Sequence, residues 1–414
     1  MTHLTKEDVS ELLPKVIPKA WYQQLCVNWK PSAESLSDEW LITLWIFLRT
    51  HYPSSLSRFK GYPILPVLLD SSVKLVPIMA DTCVILRSGA GTTLSSGMVN
   101  VLGHFNVIVV DDLPQYVRDH AEVMGNYIRL PIADDLVEVM YNGAKLGGEG
   151  VAINSFRTKT TESEKAEMRE LISWLQPRNM HSLHTAFLKR LPIFKCTSSS
   201  ALVFCSVEEV GKVAPAHQLP FATQVRYLSV AGDDIATRAA AVLGAKFVNI
   251  TSILSETLAS NELNKGFLNE SAAESVAHTI FDNFSVYIAE DPSIVAILSK
   301  VPFVQTCQSG RRVVPSSLFD PDEPGLRQAL ADDAALFPSG YCALSANLVH
   351  LRRMGLKSSE HVTAGDLLTS MLRIENLTKT ADTCALARTS SLALINFLGR
   401  FSSLLFEEIG RAHV

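Results

Sequence analysis

Cysteine is present here without pattern. The seven cysteines, at positions 26, 83, 196, 205, 307, 342 and 384, form no Cys-x-x-Cys and no paired spacing. That excludes a disulfide scaffold and the common zinc ribbons, and it suits small, reduced, buried thiols. Long hydrophobic runs are missing too. The most apolar stretch, residues 390–406, carries Asn396, Arg400 and several serines, and reads as a buried or amphipathic helix, so no membrane span is expected. The opening Met-Thr-His-Leu-Thr-Lys lacks the charged-then-apolar pattern of a secretory signal, and the expected location is cytoplasmic. A formal net charge of -5 is small for 414 residues, and the basic side chains are dispersed. Neither a nucleic-acid groove nor a polybasic membrane patch is indicated.

The signatures of chemistry are equally sparse. No Gly-x-Ser-x-Gly elbow exists; Ser95-Ser96-Gly97 comes nearest and lacks the first glycine. There is no His-Glu-x-x-His and no calcium loop. The run RSGAGTT at residues 87–93 has no lysine where a phosphate-cradling loop needs one, and Gly147, Gly148 and Gly150 do not lead from a strand into a helix with dinucleotide spacing. His181 and His184 stand three apart but have no third ligand nearby. The expectation is a chain that is not an enzyme, with no catalytic residue, cofactor or metal ligand. An opposing reading, a hydrolase whose site assembles from Asp111, His184 and Asp320, requires a deep polar pocket with perturbed acids.

What the chain does have is apolar mass, 47% hydrophobic residues, enough for real cores. It also has a recurring sentence. In residues 301–330, Pro302 opens a strand that Phe303 continues, Gln308-Ser309-Gly310 makes a turn, residues 311–314 return, and Pro315 ends the ladder before Leu318 and Phe319. Weaker versions begin at Pro63 and at Pro192, the latter followed by Phe194, and a basic residue (Lys60, Arg190, Lys300) precedes each proline. Pro63, Pro192, Phe194, Pro302, Phe303, Pro315 and Phe319 are therefore the candidate structural or partner-contact positions. The interval between copies, roughly a hundred residues or more, is far longer than common solenoid periods.

Read in order, residues 1–54 form a helical lead-in, with Trp21, Trp29, Trp40 and Trp45 as core aromatics. Residues 55–140 form a first α+β module, in which residues 107–110 are a buried strand and Asp111 and Asp112 begin the next helix. Residues 141–163 are polar and glycine-containing and make the linker. Thr161 with Glu164 opens a helix by a capping box, and a second helix spans residues 180–190. The second module runs over residues 164–299, with helices at 235–243 and across 253–298. The third covers residues 300–407, with a helix over 344–354 ending at Gly355 and another over 367–376 capped by Thr363 and Asp366. The fold class is α+β: predominantly helical, elongated modules with recurrent short β-hairpins. Residues 408–414 break with the preceding periodicity and resemble the translation of a sequencing adapter, so an artefactual tail is expected there.

The hairpin with its PSSLFDP continuation at residues 315–321 resembles the large internal repeats of the sacsin family of chaperone-related proteins. So do LRRMGLK at residues 351–357, Leu12-Leu13-Pro14 with Trp21 and Trp29, LPQYV at 113–117, and the segment 188–194. The likeness runs in order from about residue 12 to about residue 400. The Hsp90-like ATPase domain of complete repeats has no counterpart: Val230-Ala231-Gly232-Asp233-Asp234 fails the Asp-x-Gly-x-Gly loop, and no His-Pro-Asp of a J domain is present. The resemblance implies the distal part of one repeat, acting as a noncatalytic protein-binding scaffold in protein quality control. Its partners would be Hsp70-type chaperones and client or cytoskeletal filament proteins. The alternative within the same fold class is a structural spacer between active domains.

Overall fold

The computed structural model describes residues 6–30, 36–196, 203–214, 226–230, 232–259, 270–306, 312–378 and 384–400. It is an α+β structure, 54% helix and 14% strand, with the strands gathered in small sheets. The chain forms two compact units, one of Met1–Val213 and Arg226–Lys246, the other of Ala214–Val225 and Phe247–Val414.

The first unit opens with α1 (Lys6–Val16), β1 (Val27–Asn28) and α2 (Asp38–His51). Ser37 caps α2 by accepting the Trp40 N–H at 3.2 Å. The first proline-led hairpin follows as β2 (Pro63–Leu69) and β3 (Ser72–Pro77), paired antiparallel. Its two-residue turn places Asp70 and Ser71 at φ 50° and 59°, the left-handed geometry that matches the twist of the flanking strands. β1 adds to the other edge of β3, so the lead-in contributes a strand as well as helices. Fully buried Trp45 packs beneath this sheet and donates from its indole to the Ile64 carbonyl at 2.9 Å.

Next come β4 (Val84–Leu86), the small hairpin β5 (Ser88–Gly89) and β6 (Thr92–Thr93), α3 (Ser96–His104) and β7 (Ile108–Val110), with β4 and β7 parallel. Asp111 and Asp112 do not begin a helix as the sequence suggests. Asp111 accepts the Asp70 N–H at 2.9 Å, Asp112 accepts the N–H of Leu113 at 2.8 Å, and α4 (Gln115–Arg118) starts only after Pro114. The turn at the first hairpin captures the aspartate before a helix can.

The expected linker over residues 141–163 is instead built into the core. α5 (Ala133–Gly147) and α6 (Glu149–Lys159) occupy it, parted at Gly148 with φ 87°, and Ala144, Ala152 and Phe156 are buried with Phe105. Its glycines serve packing. A Cβ on Gly143 would collide with the carbonyl oxygen of Phe105, so α5 crosses the end of α3 closer than any other residue permits. α7 (Glu162–Trp174) has the Thr161–Glu164 capping box, and α8 (Ser182–Lys189) leads to the second hairpin, β8 (Phe194–Cys196) with β9 (Phe204–Cys205). α9 (Val207–Val210), β10 (Lys212–Val213), β11 (Leu228–Ser229), α10 (Asp234–Val242) and β12 (Lys246–Phe247) complete a sheet of order β12-β10-β11-β8-β9. The second hairpin thus shares a core with α3, α5 and α7, and the module boundary expected near residue 164 is not where the chain divides.

The second unit contains α11 (Ile250–Ala259), α12 (Glu270–Glu290), α13 (Ile294–Leu298), the third hairpin β13 (Val304–Gln305) and β14 (Arg312–Val313), α14 (Leu326–Ala329), α15 (Ser345–Arg353), α16 (Ala364–Leu377) and α17 (Cys384–Arg400). Gly355, at φ 94°, ends α15, and Thr363 with Asp366 boxes α16, both as the sequence suggests. The turn residues Gln308-Ser309-Gly310 and the tail 408–414 lie outside the described residues, as do residues 197–202 of the second hairpin. One core gathers Phe284, Tyr287, Phe303, Leu318, Leu351 and Met354; another gathers Phe319, Phe337, Leu367, Ile374, Leu394 and Phe397.

Two consequences are measurable. Gly143→Ala should destabilise the protein by about 1–3 kcal/mol in urea unfolding, because the obstacle is backbone and cannot rotate away. His104, His120, His184 and His350 are all held below the ordinary histidine value, burial being the first cause in each. His120 is fully buried against Trp45, accepts the Glu122 N–H at Nδ1 and turns Nε2 toward the Leu48 and Tyr52 carbonyls without a well-aligned bond. The unfolded chain therefore binds more protons than the folded one below the unfolded value of about 6.5, so this stability is complete above that pH and is lost as pH falls through the folded values. Thermal midpoints should fall between about pH 7 and pH 5, where most carboxylates stay ionised, and a flat profile there would contradict the assignment.

Candidate functional site

The seven hairpin positions singled out by sequence are, with one exception, buried. Pro63, Pro192 and Pro315 are enclosed, Phe194, Phe303 and Phe319 are at most 1% exposed, and Pro302 is half-buried. They fasten ribbons into cores; a partner would meet other surfaces.

The segments PSSLFDP and LRRMGLK, 30 or more residues apart, come together in the second unit. The N–H of Lys357 donates to the Leu318 carbonyl and the N–H of Asp320 to the Lys357 carbonyl, both at 2.8 Å. Arg352, on the last turn of α15, donates from Nε and Nη2 to the two oxygens of Asp320, the latter at 3.1 Å, and from Nη2 to Asp322 at 2.7 Å. Two carboxylates around one guanidinium hold its charged form well above the usual arginine value. The Asp320 residue is 7% exposed, so the fork works in a partly dry setting, and Lys357 Nζ lies 5.1 Å from the Phe319 ring centroid. Extended backbone sends Leu318 and Phe319 to opposite sides, one into each core of this unit. This junction sets where α14 and α15 stand.

Beyond it, α16 and α17 pack on each other yet keep apolar side chains outside. Leu367, Ile374, Leu394 and Phe397 are buried, whereas Leu368 and Leu372 on α16 and Leu392 and Ile395 on α17 are 59%, 55%, 63% and 64% exposed. The spacings, four apart on one helix and three on the other, make each set a continuous outer stripe. A cleft of ≈ 470 Å³ opens between α14 and α17, bordered by Glu323, Gln328, Ser359, Thr389, Asn396 and Arg400. Helix capping at Thr363 was legible in the sequence, but the two-sided apolar pattern of residues 367–374 was the signal that marks this surface.

The dispersed catalytic candidates have different neighbours. Asp111 pairs with Arg87 at 3.6 Å and the Asp70 N–H, and Asp320 is held by Arg352. His184 lies against Tyr141 and His181, ring centroids 5.2 and 5.6 Å away, while His181 is the N-cap of α8 and accepts the Leu183 N–H. Among the described residues, no group of three His, Cys, Asp or Glu is placed to hold a metal ion, and no helix is long and apolar enough to cross a membrane.

No protein-family model, curated protein or solved structure matches this chain.

Asp320 and Asp322 share one arginine but differ in burial, which separates their expected contributions. Asp320→Ala should destabilise the second unit by roughly 1.5–3 kcal/mol, since it removes the shielded charged bonds. Asp322→Ala, at the exposed arm, should cost below about 1 kcal/mol. Urea unfolding with hydrogen exchange over residues 315–357 measures both; equal losses would refute the junction's role.

Proposed function

We propose that this protein is a noncatalytic scaffold of protein quality control that holds apolar segments of other proteins on the outer faces of α16 and α17. The observation that carries the reading is the pair of outer stripes, Leu368 with Leu372 and Leu392 with Ile395, on helices whose opposite sides are already satisfied by a core. Apolar groups scattered singly are normal on a surface, but contiguous ones at helical spacing suit a hydrophobic partner segment. The sacsin-like segments at residues 315–321 and 351–357 support the same reading, because they interlock next to the helices that carry the stripes. On that resemblance the partners are Hsp70-type chaperones and client or filament proteins, and the cellular setting is the cytoplasm.

The test is suppression of aggregation of a heat-unfolded model enzyme, together with capture of a purified Hsp70-type chaperone. The quadruple variant Leu368→Ser, Leu372→Ser, Leu392→Ser, Ile395→Ser should stay folded, its thermal midpoint lowered by no more than about 4–8 °C, since exposed substitutions usually cost within about 0.5 kcal/mol each. It should lose most of the holding activity. A wild-type protein without effect on aggregation, or a variant as effective as wild type, sinks the proposal.

A further inference from the structure

The second hairpin brings two cysteines together that the sequence spaces without meaning. β8 and β9 pair with Phe194 opposite Cys205 and Lys195 opposite Phe204, and the Cys196 N–H donates to the Val203 carbonyl at 3.0 Å. Alternation along each strand then puts Phe194, Cys196, Val203 and Cys205 on one face. The other face is held by α7, where Lys195 pairs with Glu162 and buried Lys165 lies 4.7 Å from the Phe204 ring centroid. Cys196 and Cys205 are diagonal neighbours. In a flat ladder diagonal positions stand about 7–8 Å apart, wider than the usual disulfide span of up to about 6.8 Å. The right-handed twist of the ladder draws one diagonal in, and here the two thiols already lie within hydrogen-bonding reach of each other.

We infer that Cys196 and Cys205 are an oxidisable pair, closing to an intramolecular disulfide when the protein meets a peroxide. Cys196, half-buried on β8 between β11 and β9, takes the oxidant; Cys205, 3% exposed on the edge strand β9, is the resolving thiol. Burial pushes the Cys205 thiol up to about 11, so it waits protonated instead of competing for the oxidant. In the first step the Cys196 sulfur attacks the O–O bond of hydrogen peroxide, forming a sulfenic acid, and the displaced hydroxide leaves with the thiol proton as water. In the second the Cys205 sulfur attacks the sulfenic sulfur, the S–S bond forms, and hydroxide departs with the Cys205 proton as a second water. Two thiols lose two electrons and one peroxide gains them. The product staples β9 to β8 at the edge of the sheet.

The chain offers a clean readout, because no Lys or Arg lies between Lys195 and Lys212, and both cysteines fall in one tryptic peptide. The reduced, full-length protein is treated with a small excess of hydrogen peroxide, unfolded, alkylated and digested without reductant. The expected result is the 196–212 peptide two hydrogens lighter and free of alkylation, restored by dithiothreitol. In Cys205→Ser, Cys196 should instead run on to sulfinic acid. Two alkylated thiols in the oxidised wild type, a sulfinic Cys196 without the linked peptide, or a disulfide joining two copies would each overturn the pair.

Discussion

Unit 2 depends on one extended segment that must serve two cores at once. Leu318 and Phe319 leave the backbone on opposite sides, and a slip of one residue would turn each toward the other's core. Apolar packing alone is weakly directional, and it cannot choose between two registers that each bury one leucine and one phenylalanine. The Arg352 fork supplies the missing direction. Its planar donors fit the two oxygens of Asp320 in one orientation, and the reciprocal backbone bonds between residues 318–320 and Lys357 fix the segment lengthwise. Buried ionic groups are often poor sources of net stability; here the geometry makes the pair a register device for the layers around it.

The short ribbons pose the same problem elsewhere in milder form. An isolated two-stranded ribbon is marginal in water, most of all where its strands are two or three residues long, and it persists only when a helix or a larger sheet covers it. Each proline-led hairpin is covered in a different way: the first by α2 and an added strand, the second by α7 and a five-stranded sheet, the third by α12 and α15. Repetition of the local motif therefore does not produce repeated modules. The helices that bury a ribbon are drawn from both sides of it in sequence, and the compact units divide accordingly.

This explains which parts of the structure were legible beforehand. Capping boxes at Thr161 and Thr363 and the glycine stop at Gly355 are local, set by residues a few positions apart, and they stand where the sequence puts them; the three strand pairs form too, though the second and third ladders begin at Phe194 and Val304, past the prolines expected to open them. The misreadings concern long-range competition. Gly143, Gly147 and Gly148 look like a linker until Phe105 and Asn106 are brought against the first two. Asp111 looks like a helix cap until the Asp70 N–H claims it. The apolar stripe on α16 was hidden because Leu367 and Leu368, adjacent and chemically alike, end on opposite sides of the helix, and only the packing of α17 decides which is covered.

All five tryptophans, at 21, 29, 40, 45 and 174, belong to the unit of Met1–Val213 and Arg226–Lys246. Their surroundings run from complete enclosure at Trp45 to 68% exposure at Trp174. Intrinsic indole emission is consequently blind to the half of the molecule that carries Arg352 and the outer leucines. An optical melt would report one unit while the other opened unseen, and its separation from a calorimetric trace would measure how independently the two halves come apart.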